Sequence, residues 1–162
     1  MRSKVKRLAV VVIAMLLSTG AAAQAAGRVV GTWLFVSSVR DSDNGKIDTY
    51  GAGAEGRMTL DSGGRYSITI IGANLPKFAS GAVFRGTAEE NAAVLGRSNA
   101  HFGTYSVDEA GTAIIFRTER GTFPNGDGTE QKRSFALVGE ELSYVIPIGG
   151  GRTSVVTWRR AN

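Results

Sequence analysis

From residue 30 to residue 160, apolar and polar residues alternate with period two in short runs, and glycine, aspartate or asparagine separates most of these runs. Such alternation places every second side chain on the same face of a β-strand. The separators are short, as at residues 61–64 and 149–151, and their glycines supply the positive φ that tight turns need. Strands joined in this way pair antiparallel with their sequence neighbours. The pattern therefore predicts an all-β domain.

Eight of these runs are predicted to be strands. They cover residues 30–40, 55–60, 65–71, 101–107, 112–119, 131–138, 140–147 and 153–160. The alternation breaks between the third and fourth strands, where Thr87 and Glu90 form a capping box for a helix that ends at Gly96. The spacing favours an eight-stranded antiparallel barrel with this one short helix inserted between strands 3 and 4. A two-sheet sandwich is compatible with the same pattern.

The first 25 residues have the pattern of a signal peptide. Basic residues at positions 2, 4, 6 and 7 precede an apolar run over residues 8–17, and small residues then form A-x-A cleavage sites at 21–23 and 23–25. The apolar run is too short to cross a hydrocarbon core, which needs about 20 residues. We therefore expect residues 1–25 to be a cleaved leader that leaves no integral membrane segment, and residues 26–162 to form one domain.

Most of the positive charge belongs to this leader. The chain has 19 basic and 14 acidic residues, and four of the basic ones lie in the leader, which leaves 15 basic residues against 14 acidic ones. A nearly neutral domain gives no reason to expect a nucleic-acid partner. The chain has no cysteine, so it has neither disulfides nor a thiol to carry a lipid anchor. The combination predicts a soluble periplasmic or secreted protein.

Several short motifs occur together and in a fixed order. They are Gly31-Thr32-Trp33 and the segments 75–78, 86–91, 102–108, 123–125, 128–133 and 156–160. Over nearly all of residues 26–162, this combination resembles the bacterial lipocalin-like domain family. The resemblance implies a lipocalin-type β-barrel but no settled activity. It also implies that Trp33 plugs the closed barrel end, with Arg159 or Arg160 from the last strand across its face.

A barrel of this size encloses at most one small molecule. Candidate ligand-contacting residues are the aromatic and polar side chains on strand faces that are expected to line the lumen. They are Trp33, Phe35, Tyr66, His101, Tyr105, Arg133 and Tyr144. For Trp33, a structural role as the floor of the core is the favoured interpretation. For His101, a half-exposed position at a strand rim is the alternative to a place in the lumen.

Arg133 is in register with Phe135 and Leu137, so its charge lies at the barrel mouth or is buried and needs a partner. One interpretation pairs it with Glu119 across neighbouring strands, as a structural ion pair. The other makes Arg133, with Arg117, a clamp for a ligand carboxylate.

His101 is the only histidine, and one imidazole without cysteine does not make a zinc site. No nucleophile-elbow motif or phosphate loop is present, so we expect no metal, no cofactor and no assigned catalytic residue.

Three functions are compatible with these observations. The first is an exported protein that binds a small apolar or amphipathic ligand in the lumen. The second is a cofactor-free isomerase or cyclase that uses His101, Tyr105 or Glu119 as acid or base in the lumen. The third is a barrel filled by its own side chains, which acts through its surface as an interaction or inhibitor module. An empty lumen favours the first over the third.

Overall fold

The computed structural model describes residue 20 and residues 22–162, so most of the predicted leader lies outside the described residues. The strands are β1 (Gly31–Ser42), β2 (Gly45–Asp48), β3 (Glu55–Leu60), β4 (Arg65–Ile71), β5 (Ser98–Val107), β6 (Ala113–Gly121), β7 (Glu130–Val138), β8 (Glu141–Gly149) and β9 (Arg152–Arg160). The helical elements are α1 (residues 22–29), α2 (Ala88–Gly96) and a 3-10 turn at Pro124–Gly126.

The sheet closes on itself as a barrel. Every strand from β3 to β8 pairs antiparallel with the next, and β1 pairs with β3. β1 also pairs with β9, from Trp33↔Arg160 to Arg40↔Ser154, which closes the sheet. Eight strands therefore form a closed antiparallel barrel, as the sequence predicts, and the sandwich alternative is wrong. The ninth strand, β2, forms a hairpin with the upper part of β1. It was missed because its four residues are all exposed and carry no apolar alternation.

The two ends of the barrel differ. One end holds α1, the β3–β4 and β5–β6 turns and the C-terminus, and we call it the closed end. The other holds the β1–β2 hairpin, the segment 72–97 with α2, the segment 122–129 and the β8–β9 turn, and we call it the open end. The predicted helix therefore lies at the open end, between the strands now numbered β4 and β5.

Helix α2 begins as predicted. The Thr87 side chain accepts a hydrogen bond from the Glu90 amide, and the Glu90 carboxylate accepts one from the Thr87 amide. No residue of α2 is buried. The helix is therefore held mainly by its cap and by its connections, rather than by an apolar face.

A floor closes the lower end of the barrel, as the family resemblance implies. The Arg160 guanidinium lies 4.2 Å from the centre of the Trp33 ring and donates hydrogen bonds to the carbonyls of Val30 (2.9 Å) and Arg28 (2.6 Å). Gly31 leaves room for this crossing, because a Cβ there would lie 2.6 Å from an Arg160 nitrogen. Trp33 is fully buried and donates to the Val29 carbonyl at 2.9 Å.

Two β-bulges change which side chains face inward. In β1 the pairing with β9 shifts between Phe35 and Ser37, so Ser38 is the buried residue. Strict alternation along β1 would place Trp33, Phe35 and Ser37 on one face, and the bulge ends that alternation above Phe35. In β6 a second shift leaves Glu119 as an extra residue without a partner on β5, between Thr118, which pairs with Gly103, and Arg120. Gly103 permits this, because a Cβ there would overlap the Arg117 carbonyl.

Candidate functional site

The barrel interior is solid at its closed end and hollow at its open end. Two chambers of about 180 and 150 Å³ lie in the hollow part, and Asn99, His101 and Arg133 belong to the walls of both. We call them the larger and the smaller chamber, and together the lumen cavity. Both communicate with solvent through the open end.

The larger chamber has mainly apolar walls with polar groups at two places. Its lining consists of Ser38, Arg40, Thr49, Tyr50, Ile68, Ile70, Asn99, His101, Arg133, Tyr144, Ile146, Ile148, Ser154 and Val156. Ser38 and Ser154 are buried and lie 3.4 Å apart, oxygen to oxygen, so they satisfy each other. The wall is therefore suited to an apolar ligand body.

The smaller chamber is more polar. Its lining consists of Asn99, His101, Thr118, Gly121, Phe123, Gly126, Gln131 and Arg133. Gly121 is the last residue of β6, and Phe123 and Gly126 belong to the segment that follows β6 at the open end. No residue of α2 contributes to the walls of either chamber.

Arg133 lies on the inner face of β7, where the two chambers meet. It is 5% exposed, and its guanidinium carbon is 4.7 Å from the centre of the Phe116 ring and 4.8 Å from that of Tyr144. One terminal nitrogen donates to the Gln131 side-chain oxygen at 2.6 Å, while Nε is buried without a hydrogen-bond partner. The two aromatic rings hold the guanidinium in one place.

The predicted ion pair of Arg133 with Glu119 is wrong. The β6 bulge leaves Glu119 exposed on the outside of the barrel, whereas Arg133 points inward. Arg117 also points outward, and it pairs with Glu130 at 2.8 Å. Arg117 therefore does not contribute to a clamp inside the lumen. Within residues 22–162, no carboxylate lies within 4.0 Å of the Arg133 guanidinium.

His101 lies on the inner face of β5 and belongs to a chain of hydrogen bonds. Its Nδ1 is 2.9 Å from the Tyr66 hydroxyl, which is 3.0 Å from the Thr118 hydroxyl. Burial lowers the pKa of His101 to about 4, and the charge of Arg133 acts in the same direction. The imidazole is therefore neutral at pH 7 and offers a polar group without charge.

The phenols around the cavity also stay neutral. Burial raises the pKa of Tyr66 and of Tyr50 above the ordinary value of a tyrosine. Each hydroxyl therefore keeps its proton at physiological pH and remains a hydrogen-bond donor. With His101 neutral as well, the inner cavity contains one permanent charge, that of Arg133, and the second cation of the lining, Arg40, is exposed at the mouth.

The seven sequence-predicted site residues divide into two groups. His101, Arg133 and Tyr144 line the cavity, and Tyr66 adjoins it through its hydrogen bond to His101. The other three, Trp33, Phe35 and Tyr105, lie below it. Phe35 contacts Tyr50 and Trp158 edge to face, and the Tyr105 hydroxyl donates to the Asp61 carbonyl at the closed end.

Sequence reasoning missed several cavity residues. Gln131 and Thr118 share strand faces with Arg133 and Phe116, so the alternation that identified Arg133 could have found them. Tyr50 follows the short strand β2, and Asn99 lies at the N-terminal end of β5. Both residues are outside the strands that the sequence predicts. Neither position carries a periodic signal.

In the described part of the chain, no three histidine, cysteine, aspartate or glutamate side chains come close enough together to hold a metal ion. Among the helices of the same residues, none is both long and apolar enough to span a bilayer.

Comparison with known families gives one match, to the lipocalin-like domain, over residues 30–161. Three solved structures are similar. A redesigned beta barrel shares 12% identity at a TM-score of 0.43, covering 85% of this chain and 96% of that chain. A de novo designed fluorescence-activating beta barrel shares 15% sequence identity at a TM-score of 0.42, and the match covers 85% of this chain and 97% of that chain. A mutant of the fluorescent protein UnaG shares 15% sequence identity at a TM-score of 0.38, and the match covers 83% of this chain and 96% of that chain. No curated protein matches the chain.

Proposed function

The chain belongs to the family of lipocalin-like domains, and from this premise we propose that it is a binding protein that holds one small, mostly apolar molecule in its lumen cavity. The observation that carries the proposal is the hollow open end of the barrel. Its walls are apolar over most of the larger chamber, and a few fixed polar groups converge where the chambers meet. Ligand sites in proteins commonly combine these two properties.

The size of the cavity limits the ligand. Pockets for drug-sized molecules enclose about 300–1,000 Å³, and the two chambers of about 180 and 150 Å³ together reach only the lower end of that range. A cavity of about 150 Å³ holds one benzene molecule. The proposed ligand is therefore a compact molecule of one or two rings, or a short chain, rather than a long lipid.

One observation favours the isomerase or cyclase alternative, namely the placement of His101 and Tyr66 together beside the cavity. A general base works best when its pKa is near the working pH. The pKa of His101 is lowered to about 4, so the imidazole is a weak base at pH 7. Of the other two proposed acid–base groups, Glu119 is exposed, and the Tyr105 hydroxyl donates to the Asp61 carbonyl at the closed end, below the cavity. Binding is therefore the function that the geometry supports best.

The proposal includes export. We propose that residues 1–25 are removed and that the domain works in the periplasm or outside the cell, on the sequence pattern described above. Amino-terminal sequencing of the protein recovered from the periplasm or medium of a bacterial host tests this. A start at residue 24 or 26 supports export, and an intact Met1 in the cytoplasm contradicts it.

The binding proposal is tested by occupying the cavity with a side chain. Ile148 lines the larger chamber and is 40% exposed, while Ile71 is 46% exposed and lies outside the cavity lining. Ile148→Trp should therefore block the chamber with little strain, and Ile71→Trp is its matched control.

Native mass spectrometry of protein from a bacterial host, combined with NMR titration by benzoate, benzamide and indole, provides the measurement. We expect an added mass that denaturation releases, or shifts of the Ile68 and Ile146 methyl signals, in the natural protein and in Ile71→Trp. Ile148→Trp should lose them. Absence of both signals in the natural protein, or their survival in Ile148→Trp, would overturn the proposal.

A further inference from the structure

Arg133 is a buried cation that the described chain does not neutralise. Its partners are two aromatic rings and one neutral amide oxygen, and its Nε has no hydrogen bond. Taking a charge out of water is unfavourable unless another charge and further hydrogen bonds replace the water. Some surface arginines of the described chain pair with carboxylates, as in Arg117–Glu130 and Arg120–Asp127, and Arg160 is satisfied by two carbonyls, whereas Arg133 has neither.

The rest of the cavity contains no negative charge either. Among the residues that line the two chambers, there are two arginines, Arg40 and Arg133, and no aspartate or glutamate. The titratable groups around Arg133 are His101 of β5, Tyr66 of β4 and Tyr144 of β8, and the more distant Tyr50 faces the same chamber. The lowered pKa of His101 keeps its imidazole neutral at pH 7, and the raised pKa values of Tyr66 and Tyr50 keep their phenols protonated. The cavity is therefore positive throughout.

An apolar ligand alone would not use this charge. A neutral guest in the larger chamber would bury Arg133 further and leave it unpaired, which makes binding less favourable. A guest with one anionic group would neutralise it in a place screened from water, where a charge-assisted hydrogen bond is strong. The rings of Phe116 and Tyr144 hold the guanidinium in position, so little ordering is needed when the anion arrives.

We propose that the ligand is a small monocarboxylate whose acid group binds the terminal nitrogens of Arg133, with its apolar body against Ile68, Ile70 and Ile146 in the larger chamber. This inference rests on the proposed function. A carboxylate matches the planar guanidinium through two parallel hydrogen bonds and carries the single charge that one buried arginine compensates. A phosphate dianion would keep a second charge without a buried partner, since Arg40 lies at the exposed mouth.

Two probes of nearly equal shape separate charge from apolar binding. Benzoate carries the carboxylate, and benzamide replaces it with a neutral amide of similar size. Full-length protein is titrated with each probe, and binding is followed by the methyl signals of the cavity isoleucines and by calorimetry at low salt. We expect benzoate to bind about ten-fold more tightly than benzamide or better.

The variants are Arg133→Met, Arg133→Lys and Arg117→Met. Arg133→Met keeps an unbranched side chain between the rings and removes the charge, so the preference for benzoate should fall to about two-fold or less while benzamide still binds. Arg133→Lys should keep part of the preference, because it keeps the charge. Arg117→Met removes an exposed arginine of the outer surface and should leave the preference unchanged.

The outcomes are distinct. Equal binding of benzoate and benzamide to the natural protein, or a preference that survives in Arg133→Met, overturns the carboxylate inference and leaves the proposed function intact. Failure of both probes and of indole to shift any cavity signal, with no added mass in native mass spectrometry, overturns the proposed function together with it.

Discussion

His101 shows how the interior of the barrel controls a single side chain. The imidazole is largely removed from water, and the nearest permanent charge, Arg133, is positive, so both effects disfavour its protonation. Its Nδ1 is engaged by the Tyr66 hydroxyl, which fixes the ring relative to the cavity wall. The residue therefore contributes a neutral polar group in the folded protein, but it takes up a proton in the unfolded chain at mildly acidic pH.

This difference predicts a loss of stability on acidification. The folded pKa of His101 is about 4, below the ordinary 6.5, so the unfolded state binds more protons between these values. Stability therefore falls as pH falls from about 6.5 to about 4, by roughly 2 kcal/mol between pH 7 and 4.5. Urea unfolding at these two pH values measures the loss.

The variant His101→Gln provides the control, because glutamine can accept a hydrogen bond from Tyr66 and does not titrate. It should lose clearly less stability over the same interval. Asp41 and Asp108 do not interfere, since their pKa values of about 2 place their effect below pH 4. An equal loss in the natural protein and in the variant would show that His101 is not the source.

At this scale, the sequence was informative where a residue lay in a regular strand. Tyr66, Arg133 and Tyr144 share faces with apolar neighbours, and alternation alone predicted that they point inward. Alternation could not show that Glu119 fails to pair with Arg133, because the orientation of Glu119 depends on the bulge in β6. Tyr50 lies after β2, where no pattern indicates a direction.

At the scale of elements, the floor joins both ends of the described chain. Arg160 at the end of β9 covers Trp33 on β1 and binds two carbonyls that precede β1. Replacing it by methionine removes the cation–π contact and two hydrogen bonds but keeps much of the stem. We expect Arg160→Met to lower the free energy of unfolding by about 2 kcal/mol.

The neighbouring residue supplies the control for this prediction. Arg159 is exposed, so Arg159→Met should change stability by no more than about 0.5 kcal/mol. Benzamide binding should be the same in both variants, because the floor lies below the cavity. A stability loss for Arg159→Met equal to that for Arg160→Met would contradict the role given to the floor.

Helix α2 depends on its cap. The Glu90 carboxylate accepts hydrogen bonds from the amides of Thr87 and Ala79, which lowers its pKa and connects the helix to the preceding loop. Since no residue of α2 is buried, Thr87→Ala should cost about 1 kcal/mol of local helix stability. Hydrogen exchange should show faster opening of amides 91–94, with strand amides unchanged. Equally faster exchange in the barrel strands would show that the helix and barrel unfold together.

The strands themselves were predictable because turn residues and alternation agree over most of the barrel. The β3–β4 turn is an example, since the Asp61 side chain accepts a hydrogen bond from the Arg65 amide and Gly64 has a φ of 78°. The bulge in β1 was not predictable, because nothing in the composition of residues 35–37 marks the shift, whereas Gly103 inside β5 could have indicated the bulge in the paired strand β6. β2 was not predictable because it is exposed on all sides.

For the whole molecule, stability and binding are expected to oppose each other at Arg133. The closed end is a continuous apolar core around Trp33, Trp158 and Leu142, and it stabilises the barrel whatever the cavity contains. The open end is hollow and holds a cation without a carboxylate. Natural binding sites often keep such unfavourable groups because the ligand satisfies them.

The last prediction follows from this opposition. In ligand-free protein, Arg133→Met loses two cation–π contacts of about 0.5–2 kcal/mol each and one charged hydrogen bond of about 1.5–3 kcal/mol. It also removes a desolvation cost of several kcal/mol and places an apolar chain between two rings. We expect the variant to be as stable as the natural protein or about 1 kcal/mol more stable. Urea unfolding of ligand-free samples measures this, with Arg117→Met, an exposed pair, as the reference within about 0.5 kcal/mol. A loss of 2 kcal/mol or more in Arg133→Met would mean that the guanidinium stabilises the barrel. The presence of a positive charge in the cavity would then be explained without a ligand.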